Sequence, residues 1–242
     1  MLEPRGPVPR ILAAAERLAE ELDSPQPRLD QVALAIAALD PEPLDEEDSL
    51  GILDDWAARV AERAHGVPDI DDLQRVLGEE LALSGGSGEY DAPENSFLPR
   101  VIARRQGLPI LLSIVWIEVG RRAGVPVFGV GLPGHFVVGH STGPGALTLL
   151  DAFDCGRRLG PAEVAALMDR AGASLHPAML APATARSVAV RMLRNLTGSY
   201  ARRGRIDEAR SAARLWLAAA PDDPAATELF EEFDRQAHTI WS

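Results

Sequence analysis

The stretch Pro109–Ala123 constrains the fold more than any other. Ile110, Leu111, Ile114, Val115, Ile117 and Val119 leave it almost no polar face, so a helix here has to be buried nearly all round. Pro109 suits its first turn and Gly124 its end. The pattern then changes. Val125-Pro126-Val127-Phe128-Gly129-Val130 is a β-branched run fit for a strand, His135–Val138 is a second, and Ala146–Leu150 a third, after a turn at Gly143-Pro144-Gly145. A buried helix followed by consecutive short strands predicts an α+β core in which the helix packs on an antiparallel sheet.

Helical periodicity dominates on either side. Ile11, Leu12, Ala15, Leu18 and Leu22 share one face of a helix that Pro9 can open and Ser24-Pro25-Gln26-Pro27 stops. Leu29, Val32, Ala33, Ile36 and Leu39 repeat the pattern up to Asp40-Pro41-Glu42-Pro43. Helices over 50–64 (Leu53, Trp56, Ala57 and Val60 inward) and 71–83 complete an N-terminal helical subdomain, and Ser84-Gly85-Gly86-Ser87-Gly88 reads as a flexible joint. Its carboxylates lie on outward faces, which suggests packing rather than chemistry. A short helix is expected over 97–105 and another from Gly160-Pro161 to about Ala171, with a Pro-containing connection over 175–184. Counted from Val190, the residues Leu193, Leu196, Tyr200, Gly204, Ala209 and Pro221 fall at tetratricopeptide positions 4, 7, 11, 15, 20 and 32. Asp222–Gln236 would open the next unit. One and a half repeats cannot bury a solenoid core, so this hairpin is expected to pack on the central domain. The expected segments are 1–88, 89–183 and 184–242.

Composition excludes several chemistries. All 24 basic side chains are Arg, which removes Schiff-base, ammonium-base and P-loop lysine mechanisms. Residues 1–98 carry 7 Arg against 23 acids and 99–242 carry 17 against 13, so there is no concentrated basic face for nucleic acid. No stretch of 18 apolar residues occurs and the N-terminal MLEPRGPVPR lacks a signal-peptide core, so no membrane partner is expected and a cytoplasmic location is. A single cysteine, Cys155, excludes an internal disulfide and a Cys-rich zinc site but leaves room for one thiol nucleophile.

His135 opens one strand and Asp151 closes the next, so in an antiparallel pair they can meet near one rim. A His oriented by a carboxylate is the base half of a nucleophilic triad, although such a pair also occurs as plain structure. His135, His140, Asp151, Asp154 and Cys155 are all of ligand type. However, His135 and His140 differ by five along a strand and fall on opposite faces, so no metal site is expected.

The ordered blocks Tyr90-Asp91-Ala92-Pro93-Glu94-Asn95-Ser96-Phe97-Leu98, Arg104-Arg105-Gln106-Gly107-Leu108-Pro109-Ile110-Leu111-Leu112-Ser113, Ala123-Gly124-Val125-Pro126-Val127, Leu132-Pro133-Gly134-His135-Phe136 and Asp151-Ala152-Phe153 closely resemble the SirB-type transglutaminase-like family of bacterial proteins. There a transglutaminase-like core is followed by tetratricopeptide helices. The resemblance implies a papain-like core with a nucleophilic Cys at the N-terminus of the buried helix and His and Asp on the following strands. A helix N-terminus favours a thiolate and offers N–H groups to an oxyanion. The active pattern is similar to Arg-x-Gly-x-Cys before the helix and Gly-Ile-Pro after it. Aligning Arg105-Gln106-Gly107-Leu108-Pro109 and Gly124-Val125-Pro126 with it puts Pro109, which is chemically inert, at the nucleophile position.

Two residues are candidates to replace the thiol. Ser113 lies one helical turn on from Pro109, where its hydroxyl can instead bond back to the Pro109 carbonyl. Cys155 sits in the turn Asp154-Cys155-Gly156 without an evident activating cation. Asn95 reads as an N-cap or turn residue or as part of the cleft below His135, and Arg105 as a carboxylate binder or a partner of Glu94 or Asp91. Two functions follow. The first is a non-catalytic transglutaminase-like module that binds a protein or peptide, with Asn95, Arg105 and Pro109 at the cleft. The second is an acyl transferase or amide hydrolase using Ser113 or Cys155 with His135 and Asp151. Neither implies a cofactor.

Overall fold

The computed structural model describes residues 7–42, 45–86, 88–143 and 145–240; Pro43, Ser87 and Pro144, which belong to the expected linker, joint and turn, lie outside these. The protein divides into two compact units. One contains 45–90 and 98–183, and the other contains 1–44, 91–97 and 184–242.

The first unit is built on the apolar helix. Helices α3 (Glu46–Arg63), α4 (Ile70–Gln74), α5 (Leu98–Arg104) and α6 (Pro109–Ala123) precede strands β1 (Val127–Leu132), β2 (His135–Ser141), β3 (Leu147–Asp151) and β4 (Arg157–Leu159), and α7 (Pro161–Arg170) follows. α6 has the predicted bounds and is buried from Pro109 to Gly120. It ends in a Schellman cap, with Gly124 at φ 79° and hydrogen bonds from Gly124 N–H to Arg121 C=O and from Val125 N–H to Gly120 C=O. That cap takes the Val125 N–H and Pro126 has none, so β1 starts two residues later than the β-branched run predicts.

The sheet is antiparallel in the order β1-β2-β3-β4. β4, whose Arg157-Arg158-Leu159 carries no apolar alternation, was not predicted. α6 packs on one face, where Phe136 lies beside Ile117 and Val127 beside Gly120. Val130, Leu132, Val137 and Leu149 occupy the other face and form a core with Val164 and Met168 of α7.

The turn between β3 and β4 is wedged between two helices. Cys155 and Gly156 both have positive φ, 49° and 73°. A Cβ on Gly156 would lie 2.1 Å from the Trp116 ring of α6, and a Cβ on Gly78 would lie 2.1 Å from the Cys155 carbonyl oxygen. Gly78 belongs to a π-helical turn, Arg75–Glu80, that continues α4 where sequence periodicity predicts an unbroken α-helix over 71–83. The expected joint at 84–88 is in part an ordered strap: Ser84 N–H donates to Arg105 C=O at 3.2 Å and Gly85 N–H to Phe153 C=O at 2.8 Å.

The second unit is all helical: α1 (Pro7–Leu22), α2 (Leu29–Ala37), α8 (Ala185–Arg202), α9 (Ile206–Ala219) and α10 (Pro224–Ile240). α1 packs on α2 and α9, and α9 also pairs with α8; its Ala209, Ala212 and Ala213 are wholly buried. Each unit is assembled from segments far apart in the chain. The stripe of α1, with Leu18 wholly buried, finds its partner surface on α9, nearly two hundred residues further on, while the stripe of α3 packs on α6. Residues 91–97 are fastened to α8: Asp91 accepts from Arg202 at 2.6 and 3.0 Å and from Arg203 at 3.1 Å, and its carbonyl accepts from Ser199 Oγ at 2.5 Å.

Replacing Gly156 by Ala should destabilise the protein by about 2–4 kcal/mol in a denaturant titration, because left-handed backbone strain and overlap with Trp116 add. Unchanged stability would mean that the turn is free to move away. The guanidinium groups of Arg203 and Arg202 lower the Asp91 carboxyl pKa from 3.8 to about 2. A depressed carboxylate stabilises the fold above its unfolded pKa and loses that contribution as pH falls through the folded one. Asp91→Asn should therefore lower the thermal midpoint at pH 7, with the gap to wild type closing between about pH 4 and pH 2. A gap that persists at pH 2 would assign the effect to packing.

Candidate functional site

The β1–β2 hairpin turns through Pro133 and Gly134, the latter at φ 71°, the glycine conformation a type II turn requires after proline. This two-residue turn makes His135 the first residue of β2. Register pairs Val138 with Leu150, so Asp151 at the end of β3 meets His135 diagonally across the two strands. His135 Nε2 and Asp151 Oδ1 lie 2.9 Å apart. Both side chains are about nine-tenths buried, at 12% and 9% exposure. A carboxylate can only accept, so Nε2 is the donor of this bond.

Asp151 is held independently of the histidine. Its Oδ1 also accepts from Phe153 N–H at 3.0 Å, capping the 3-10 turn Ala152–Asp154, and its carbonyl accepts from Gly156 N–H at 2.8 Å. Strand alternation sets the direction of the pair. His135 is in phase with Val137, and Asp151 with Leu149, which puts both on the α7 face of the sheet, opposite α6.

There they line a cleft of about 520 Å³, with Phe153 on the sheet side and Leu167 and Arg170 of α7 and its C-cap Ala171 across from them. A smaller cavity of about 130 Å³ shares Asp151, Leu167 and Arg170 as a common wall. Phe153 stands edge-on to His135 at 6.3 Å between ring centres, and Tyr90, 53% exposed, stands edge-on to Phe153 at 5.9 Å.

The other sequence candidates are dispersed. Pro109 is the buried first residue of α6. Ser113 is wholly buried and its Oγ has no hydrogen-bond partner among the described residues, so it bonds neither to His135 nor, as expected from the sequence, to the Pro109 carbonyl. Cys155 is half-buried in the wedged turn, its conformation accounted for by packing against Gly78 and by Gly156 against Trp116. Arg105 is exposed at φ 55° and its carbonyl belongs to the strap at Ser84; Asp91, suggested as its partner, is engaged by Arg202 and Arg203. Asn95 lies within a 3-10 turn, Pro93–Ser96, of the other unit, and α5 begins at Leu98, too far on for Asn95 to be its cap. His140 faces away from the cleft, with Nδ1 2.9 Å from Pro126 O. Among the described residues no three potential ligand side chains gather for a metal. Sequence reasoning missed the α7 wall; Leu167, Arg170 and Ala171, spaced i, i+3 and i+4, are the signal that one helix face would supply it.

Among the described residues no helix is long and apolar enough to cross a membrane. The transglutaminase-like superfamily model matches residues 15–194. A UPF0162 protein of Xylella fastidiosa (strain 9a5c) is 39% identical over 164 residues, covering 64% of this chain and 57% of that protein. A UPF0162 protein of Pseudomonas aeruginosa is 29% identical over 198 residues, covering 71% and 72%. Human F-box only protein 21 is 30% identical over 164 residues, covering 63% of this chain and 26% of that protein. The match thus spans just over half the length of the Xylella relatives. No solved structure matches significantly. The family model runs through the apolar helix, the four-stranded sheet and the His135–Asp151 pair, and on that extent of match the protein belongs to the transglutaminase-like superfamily.

Proposed function

We propose that this protein is a non-catalytic, SirB-type transglutaminase-like module that binds a protein or peptide segment in the His135 cleft, acts in the cytoplasm, and carries α8–α10 as a tetratricopeptide-like extension. The observation that carries this reading is the state of the nucleophile. Proline occupies the position aligned with the thiol, and the nearest hydroxyl along the helix, Ser113 Oγ, is buried without a hydrogen-bond partner among the described residues. An acyl-transfer nucleophile needs its base within about 2.6–3.2 Å. Asp151 and His135 are in place, but the cleft they line is walled by α7 on the sheet face away from α6. The relation to a quarter of F-box only protein 21 supports a module that can be carried within a longer polypeptide.

Two measurements test it. Wild type, Ser113→Ala, Cys155→Ala and His135→Ala are treated with a peptidyl fluorophosphonate and a peptidyl vinyl sulfone and analysed by intact mass. The expected result is no adduct that depends on His135; an adduct lost both in His135→Ala and in one nucleophile variant would establish catalysis instead. In parallel, a pool of N-acetylated hexapeptides is passed over the immobilised protein. Ala171→Trp, which fills the cleft mouth from an exposed position, should reduce retention about fivefold or more while far-UV circular dichroism is unchanged. Equal retention would remove the cleft from the binding role.

A further inference from the structure

Resting on that binding reading, we infer that the cleft selects a peptide carboxylate, with Arg170 as its receptor and Phe153 as the platform for the adjacent apolar or aromatic side chain. Asp151 is hydrogen-bonded to His135 and to Phe153 N–H. Asp154 is paired with Arg157 at 2.5 Å, and Glu163 accepts from Gly160 N–H at 3.0 Å. Each acidic group of the lining therefore has a partner within the fold. Arg170 lies on the wall common to both cavities, exposed in the last turn of α7, and no ion pair or hydrogen bond engages its guanidinium among the described residues. The charge still to be complemented at the cleft is thus a cation, and a guanidinium is matched in plane by the two oxygens of a carboxylate.

The rest of the wall sets what accompanies the carboxylate. Phe153 and the exposed Tyr90 form an aromatic edge continuing from His135, and Leu167 of α7 and its C-cap Ala171 line the cleft with Phe153. A volume of about 520 Å³ holds one large side chain and its flanking backbone. The carboxylate can come from the C-terminus of a peptide or from an acidic side chain, since both present the same two oxygens.

Three dipeptide probes distinguish these sources: N-acetyl-Gln-Phe with a free C-terminus, N-acetyl-Glu-Phe-amide and N-acetyl-Gln-Phe-amide. Binding to the whole 242-residue chain is followed by the NMR shifts of the His135 ring. At least one of the two acidic probes should bind about tenfold more tightly than the neutral amide, and the stronger of the two identifies the source. Arg170→Gln should bring all three within about twofold of the neutral probe, and raising the salt should shrink the wild-type preference. Binding of all three within twofold in wild type, or a preference that survives Arg170→Gln, overturns the carboxylate assignment and leaves the binding reading standing. If no probe shifts His135, the carboxylate assignment fails; the binding reading fails with it only if the hexapeptide pool also passes Ala171→Trp and wild type alike.

Discussion

Complete burial of α6 is the constraint on which the core depends. A helix with Leu111, Leu112, Ile114, Val115, Trp116 and Val119 all at 0% exposure needs a covering layer in every direction. At roughly 1.5–3 kcal/mol for each large side chain withdrawn from water, that demand outweighs local preferences around it. α3 and the sheet meet it, and glycine is required where they come closest, at Gly120 against Val127 and at Gly156 against Trp116. The same burial leaves Ser113 Oγ and Trp116 Nε1 without partners among the described residues. Each such orphan costs about 1–3 kcal/mol, which is small beside the apolar term of the whole helix.

The sheet then divides the core into two environments. Successive residues of β2 alternate between them: Phe136 and Val138 go to α6, His135 and Val137 to α7. The α6 face is dry and closely packed. The α7 face carries a smaller core of Val164 and Met168 that stops short of the strand ends, and in the space left beyond it the His135–Asp151 pair lines an open cleft. Position along the strand decides whether an inward residue is core or site.

How much of this the sequence reveals depends on the range of the interaction. α6 was legible to the residue because proline, periodicity and glycine cap are all local, and the meeting of His135 with Asp151 followed from strand order alone. β4 was not legible, since Arg157-Arg158-Leu159 is a strand only because β3 offers it an edge. Nor was the π-helical turn at Gly78, which is shaped by a carbonyl 77 residues further on. The partnership of α1 and α2 with α8 and α9 was hidden for the same reason, because an amphipathic stripe states that a helix is covered and not by what.

A histidine and an aspartate in triad-like contact need not mark chemistry in progress. Asp151 caps the turn at Phe153 through its side chain and closes the turn to Gly156 through its carbonyl, and that turn is what seats Gly156 against Trp116. The carboxylate is therefore required by the fold whether or not a nucleophile stands nearby. Once it is there, about nine-tenths buried, it needs a donor, and the Nε2 proton of His135 supplies one. The pair therefore has a structural reason to stand where it does, independent of any nucleophile, and it lines the cleft that Arg170 and Phe153 border.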